Sequence, residues 1–179
     1  MISSVSGLEN IIYKGSVFDD DEVEDIIDRM KRLREKTSEN HDQSKDGENV
    51  RKILSNAMPK IDELVQSKSV RPVEFYDGWC RTYGKNFRHK HLGAHTDFFN
   101  DELSVVIQFS PGAFFFVYPI GFEGDPDPND LPLVHLNAGD IVIFQGRECK
   151  HGCRQLKDSE IRHTIAMFYE IPNSRKVES

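Results

Sequence analysis

A mainly β fold, a double-layer roll with helices packed on one side, is predicted by three features of this sequence. Its first 70 residues hold two stretches with helical spacing. The rest is a series of short segments rich in β-branched and aromatic residues, bounded by Gly, Pro, Asp and Asn. At 179 residues and 37% hydrophobic content the chain can bury one packed core, and 12 Phe point to aromatic packing within it. We therefore expect a single domain over 1–179: a helical support region at 1–70, a β-roll carrying the chemistry at 71–171 and a tail at 172–179.

The first helix is expected over 19–36, DDDEVEDIIDRMKRLREK. Acids open it and bases close it, which suits the helix dipole, and Val23, Ile26, Ile27, Met30 and Leu33 share one face. The polar stretch 38–48 reads as a mobile loop. A second helix follows, with Val50, Ile53, Leu54, Ile61, Leu64 and Val65 as its stripe. Both stripes read as core-packing faces. Strands are expected at 102–110, 112–120, 131–136, 140–144 and 162–171. The Pro- and Asp-rich segment 121–132 is long enough to be a lid or rim loop.

A net charge of −7 and a pI near 5.5 make nucleic acid and anionic membranes poor partners. One basic cluster stands out: Arg81, Lys85, Arg88 and Lys90, in a stretch without acids. It reads as a rim that attracts an anionic substrate. No apolar run reaches the length of a membrane span, and the N-terminus lacks the features of a secretory signal. Three cysteines, Cys80, Cys149 and Cys153, are too few and too odd for a disulfide framework and fit a reducing, cytoplasmic setting. Cys149 and Cys153 bracket His151, but a zinc site on them would lack its second ligand pair.

The chemistry gathers around His95-x-Asp97. Alone, that pair is a weak signal. After 53 intervening residues comes His151, and after 10 more come Arg162 and Thr164, with the glycine-aspartate turn and apolar run GDIVIF just upstream. Two histidines and a carboxylate on one face fill three cis positions of an octahedral ion and leave three open. In a strand, alternate residues face one side, so His95 and Asp97 could converge there. An arginine offers a permanently charged fork for the free end of a chelating dicarboxylate, and a threonine two residues on adds a hydroxyl. His89, His91, His135 and His163 lack partners at ligand spacing or flank the motif residues.

Taken together, His95-x-Asp97, His151, Arg162-x-Thr164 and GDIVIF resemble the Fe(II)/2-oxoglutarate-dependent oxygenases, over about residues 76–171. The resemblance implies a double-stranded β-helix of the jelly-roll, cupin-like kind. It implies Fe(II) held by His95, Asp97 and His151, with 2-oxoglutarate and O₂ as co-substrates. It places Arg162 and Thr164 on the far carboxylate of 2-oxoglutarate and adds Tyr83 as a hydrogen-bond partner of the co-substrate. The activity implied is oxidative decarboxylation of 2-oxoglutarate coupled to hydroxylation of a small-molecule or peptidyl substrate. LGAHTD and the segment from NAGD to FYEIP look most like small-molecule oxygenases, whose ending is Arg-x-Ser; here threonine keeps the hydroxyl. The helical start and HTDFF are similar to prolyl-4-hydroxylase-like proteins, which usually carry lysine where this chain has Arg162. Two alternatives stand beside this reading. An AlkB-type demethylase of nucleic acid would share the arginine, but its Arg-x-Asn-x-Thr ending is absent. A metal-binding β-roll without catalysis would act as a sensor.

Overall fold

A computed structural model describes residues 8–37, 46–85, 92–98, 101–122, 124 and 132–172. In chain order its elements are β1 (Ile11–Ser16), α1 (Asp20–Thr37), α2 (Asp46–Ile53), α3 (Met58–Lys68), β2 (Glu74–Tyr83), β3 (Leu103–Gln108), β4 (Gly112–Val117), β5 (Val134–Leu136), β6 (Asp140–Phe144), β7 (His151–Cys153) and β8 (Arg162–Glu170). The fold is mainly β, with two antiparallel sheets.

Two expectations for the first 70 residues need correction. The second helix is broken into α2 and α3, because Pro59 falls inside the expected run. Proline has no N–H to donate and crowds the preceding turn, so it sits instead in the first turn of a new helix, α3. The region is also not purely helical: β1 precedes α1 and joins the main sheet. Its alternation of half-buried and exposed residues is that of an edge strand. Of the polar stretch 38–48, residues 46–48 open α2, with Asp46 and Glu48 in its first turn, and 38–45 lie outside the described residues. The tail, apart from its first residue, also lies outside them.

Five strands form the major sheet in the order β1-β6-β3-β8-β2, and three form the minor sheet in the order β5-β4-β7. Every neighbouring pair is antiparallel. Alternation along the major sheet gives it two faces. Val105, Ile107, Ile141, Ile143, Ile165, Met167 and Tyr169 point to the helices. There they meet Val23, Ile26 and Met30 of α1, Val50 and Ile53 of α2, and Ile61 and Val65 of α3 in one buried cluster. Val106, Val142 and Phe144 point the other way, against Phe115, Val117, Val134 and Leu136 of the minor sheet. The result is three layers: helices, major sheet, minor sheet.

The Asn137–Asp140 turn shows how GDIVIF is locked in place. Gly139 has φ +86°, a left-handed conformation that favours glycine. The Asp140 carboxylate accepts from the Asn137 N–H at 2.7 Å, and the Asp140 N–H donates to the Asn137 carbonyl at 3.1 Å. Strand β6 therefore starts at one fixed residue, and its partners β1 and β3 take their register from it.

Candidate metal centre

His95, Asp97 and His151 come together at the open side of the roll, with one possible ligand atom from each lying within 4.8 Å of the others. The convergence does not arise from strand alternation, as expected from sequence. His95 forms an isolated bridge with His151: its N–H donates to the His151 carbonyl at 3.0 Å, and the His151 N–H returns a bond at 2.8 Å. Asp97 is fixed separately, through its N–H on the Gly146 carbonyl at 2.9 Å. The chain thus crosses from β7 to the turn after β6 within three residues.

Both imidazoles are oriented by main-chain carbonyls. His95 Nδ1 lies 2.8 Å from the Gly93 carbonyl oxygen and His151 Nδ1 lies 3.0 Å from that of Cys149. A carbonyl can only accept, so Nδ1 carries the proton in each ring and the Nε2 lone pair faces away. Those lone pairs face Asp97 Oδ1 at 3.6 Å and 3.4 Å. Three electron-pair donors aimed at one point repel each other unless a cation stands between them. The aspartate's second oxygen is held by the Ser104 hydroxyl at 2.5 Å. Burial alone would raise the Asp97 pKa, but the positive charge of a proton on His151 or His95 Nε2, and the Ser104 hydroxyl, hold it well below the usual carboxylate range. Burial would lower the pKa of His95; Asp97 and the Gly93 carbonyl outweigh it, and the net shift is upward. His151 is buried against Phe144, at 4.7 Å between ring centroids, and Phe115, at 6.1 Å. His95, by contrast, keeps 36% of its side chain exposed, which marks the open side.

Two residues that support this centre escape a reading of the sequence. Ser104 comes from β3 and Gly146 from the turn after β6. A methyl group built on Gly146 would overlap the Asp97 carboxylate and the Ser104 hydroxyl, so only glycine lets the aspartate pack there. Nothing in the local sequence signals either role; only their meeting in space does.

Arg162 and Thr164 point inward from β8 into the same interior. Arg162 lines the pocket that holds the His95–Asp97–His151 group, together with Trp79, Leu92, Val106, Phe115 and Phe168. It is 1% exposed, no described carboxylate pairs with it, and its Nε and Nη1 have no hydrogen-bond partner. The Thr164 hydroxyl is buried and unpartnered too. Burying an unpaired guanidinium costs several kcal/mol, so the arrangement calls for an anion. Tyr83 lies opposite Arg162 in the β2–β8 register, with the guanidinium carbon 5.4 Å from its ring centroid. Burial raises the pKa of its hydroxyl, against the opposing charges of Arg162 and Arg81. Gln108, next to Thr164 across β3 and β8, adds a buried side-chain oxygen without a partner, another polar group the sequence did not announce. Arg154 is engaged elsewhere: its guanidinium holds Glu160 through bonds of 2.9 Å and 2.7 Å.

The remaining candidates fall outside the centre. His135 is exposed on β5, and His163 faces Thr82 at 3.0 Å on the other side of β8. His89 and His91 lie outside the described residues, as does most of the 121–132 loop. Cys149 and Cys153 are buried free thiols. The basic cluster is divided. Lys85 pairs with Asp158 at 2.8 Å on the surface, Arg81 lies on β2, and Arg88 and Lys90 are outside the described residues.

No protein-family model and no curated protein sequence matches the chain. Solved structures do resemble it. EvdMO1 superposes with a TM-score of 0.65 at 19% identity, over 88% of this chain and 46% of its own. The chain therefore spans under half of that protein. HygX from Streptomyces hygroscopicus, solved with nickel and 2-oxoglutarate bound, gives 0.61 at 14% identity, over 88% and 80%. SnoN, a non-heme alpha-ketoglutarate-dependent epimerase from nogalamycin biosynthesis, gives 0.65 at 17% identity, over 87% and 75%. At these identities the likeness is one of fold: this chain shares the fold of non-heme, 2-oxoglutarate-dependent enzymes and carries a His-Asp-His group able to hold a metal on it.

Proposed function

We propose that this chain is a non-haem Fe(II) oxygenase that couples oxidative decarboxylation of 2-oxoglutarate to hydroxylation of a small-molecule or peptidyl substrate, on a double-stranded β-helix. One observation carries the reading. A convergent His-Asp-His group and a buried arginine with no acidic partner among the described residues share one pocket. The first suits a divalent ion with open positions; the second suits the far carboxylate of a dicarboxylic acid that chelates that ion.

A bound ferrous ion would supply the redox chemistry with O₂, turning 2-oxoglutarate into succinate and CO₂ while a second substrate is oxidised. The protein's share is positioning. His95 and His151 present Nε2 because their other nitrogens are tied to carbonyls. Ser104 holds one Asp97 oxygen and so aims the other inward. Arg162 and Thr164 hold the co-substrate's far end, with Tyr83 beside them. Phe115, Phe168 and Val106 keep that end dry, which strengthens each polar contact made there. The exposed edge of His95 faces the side from which the second substrate enters. SnoN catalyses an epimerisation on this fold, so the outcome rests on what the second substrate offers and how it sits. Three free thiols among the described residues fit a cytoplasmic location.

The test is anaerobic Fe(II) titration followed by succinate assay, on wild type and His151→Ala. We expect one iron per wild-type chain, weak or no binding by the variant, and succinate from 2-oxoglutarate only with iron and O₂. Equal binding by both proteins would remove His151 from the centre. Stoichiometric iron without consumption of 2-oxoglutarate would favour the sensor reading.

A further inference from the structure

Arg162 accounts for one carboxylate of a bound dicarboxylate, yet the inner face of the roll presents a second guanidinium. Arg81 lies two residues after Trp79 and two before Tyr83 on β2, so all three side chains share a face. In the register Arg81 lies opposite Thr164, and Tyr83 lies opposite Arg162, which puts that face toward the pocket. The Arg81 guanidinium carbon sits 4.5 Å from the centroid of the Trp79 ring, and Trp79 itself lines the pocket. Arg81 is half-buried and stands against Trp79, which lines the pocket. No described carboxylate pairs with it, and its Nε is buried without a partner. Asp97 is the one acid among the described residues lining the pocket. Arg162 in the pocket wall and Arg81 against Trp79 face a single described lining carboxylate, Asp97, and a dicarboxylate held by Arg162 does not relieve Arg81.

Other cations can be set aside. Lys85 is committed to Asp158 at the surface and Arg154 to Glu160. Arg81 is the member of the sequence's basic cluster that the described fold turns inward.

We propose that Arg81 is a specificity residue, receiving a carboxylate or phosphate group of the second substrate beside Trp79. This rests on the reading of the pocket as a 2-oxoglutarate site, in that Arg162 is taken to be occupied by the co-substrate. Trp79 is the chain's one tryptophan, so its emission reports directly on the ring that Arg81 covers.

The experiment uses the full chain loaded with Zn(II), which has no redox chemistry, and saturated with 2-oxoglutarate. Benzoate, phenyl phosphate and the neutral benzamide are titrated while Trp79 emission is followed. 2-Oxoglutarate binding is measured by calorimetry on the same samples. We expect saturable emission changes with at least one anion and none with benzamide. Arg81→Gln should weaken that anion about tenfold or more, while Arg81→Lys, which keeps the charge, should retain most of the affinity. The 2-oxoglutarate constant should move less than about threefold in either variant. A glutamine variant that binds the anion as wild type does would overturn the proposal. So would benzamide binding as well as benzoate, no anion response below about 10 mM, or an equal loss of 2-oxoglutarate affinity, which would assign Arg81 to the co-substrate. If wild type fails to bind 2-oxoglutarate but still shows the Arg81-dependent anion response, the co-substrate reading falls and the anion site stands.

Discussion

Strand β8 has two faces, and they obey opposite rules. Toward the helices it presents Ile165, Met167 and Tyr169, all buried in the larger core cluster. The polar groups there are paired: the Tyr169 hydroxyl donates to Asp62 at 2.6 Å, and the His163 ring lies 3.0 Å from the Thr82 hydroxyl. Toward the roll interior it presents Arg162 and Thr164, equally buried, with guanidinium nitrogens and a hydroxyl that nothing in the described chain satisfies. The first face is complete as folded; the second is complete only with something bound. Buried polar groups without partners destabilise a fold, so a wall that concentrates them marks a site kept for binding at a cost in stability.

The contrast can be broken from either side. The largest effect is expected on the helix side. Ile165→Ala removes a fully buried side chain from a layer that cannot collapse around the gap, at about 2–5 kcal/mol in urea unfolding. On the pocket side, Arg162→Met should do the reverse for the unliganded protein. It replaces an unpaired buried cation with an apolar chain of similar length, so unfolding midpoints should hold or rise. The same change should weaken 2-oxoglutarate by roughly 30- to 1,000-fold, about 2–4 kcal/mol, in calorimetry. A lower midpoint with unchanged affinity would show that Arg162 is an ordinary core residue.

A smaller effect is expected at Gly146. Adding one methyl in Gly146→Ala displaces Asp97 from Ser104, and iron affinity should fall about 10- to 100-fold in anaerobic titration with little loss of helix-side packing. The smallest concerns the Arg154–Glu160 pair, which fastens the segment leading into β8. Arg154 draws the Glu160 carboxyl down to about 2. A depressed folded-state value stabilises above the unfolded value near 4.5 and loses that stabilisation as pH falls toward 2. Glu160→Gln should therefore cost about 1 kcal/mol near neutral pH, limited by solvent screening, and the gap from wild type should shrink in thermal melts as pH is lowered from 5 to 3.

How much of this was legible beforehand depends on whether a role leaves a local trace. His95, Asp97, His151, Arg162 and Thr164 could be picked out because the ligand types and their order along the chain are constrained by the chemistry. The strands β3 to β6 and β8 follow from residue type and bounding turns. Ser104, Gly146 and Gln108 have no such trace: a serine, a glycine and a glutamine acquire their roles only where β3 and the turn after β6 meet the interior. Strand β1 was hidden because its apolar run is three residues long before Lys14 and Gly15, and β7 because His-Gly-Cys has no strand pattern of its own. The basic cluster looked continuous in sequence. Geometry split it, since Arg81 turns inward while Lys85 meets Asp158 outside.

The placement of β1 also bears on how quickly the molecule can assemble. It occupies one edge of the major sheet and β2 the other, so the chain carries three helices across the sheet between them. The partner of β1 is β6: the Ser16 hydroxyl donates to the Gly139 carbonyl 123 residues away. That edge cannot form until the chain through β6 exists and a very long loop has closed, which makes the fold rich in distant contacts, a feature that slows folding. During synthesis the earliest strand waits longest for its neighbour, and the exposed margin of β6 is the surface most open to mispairing in that interval.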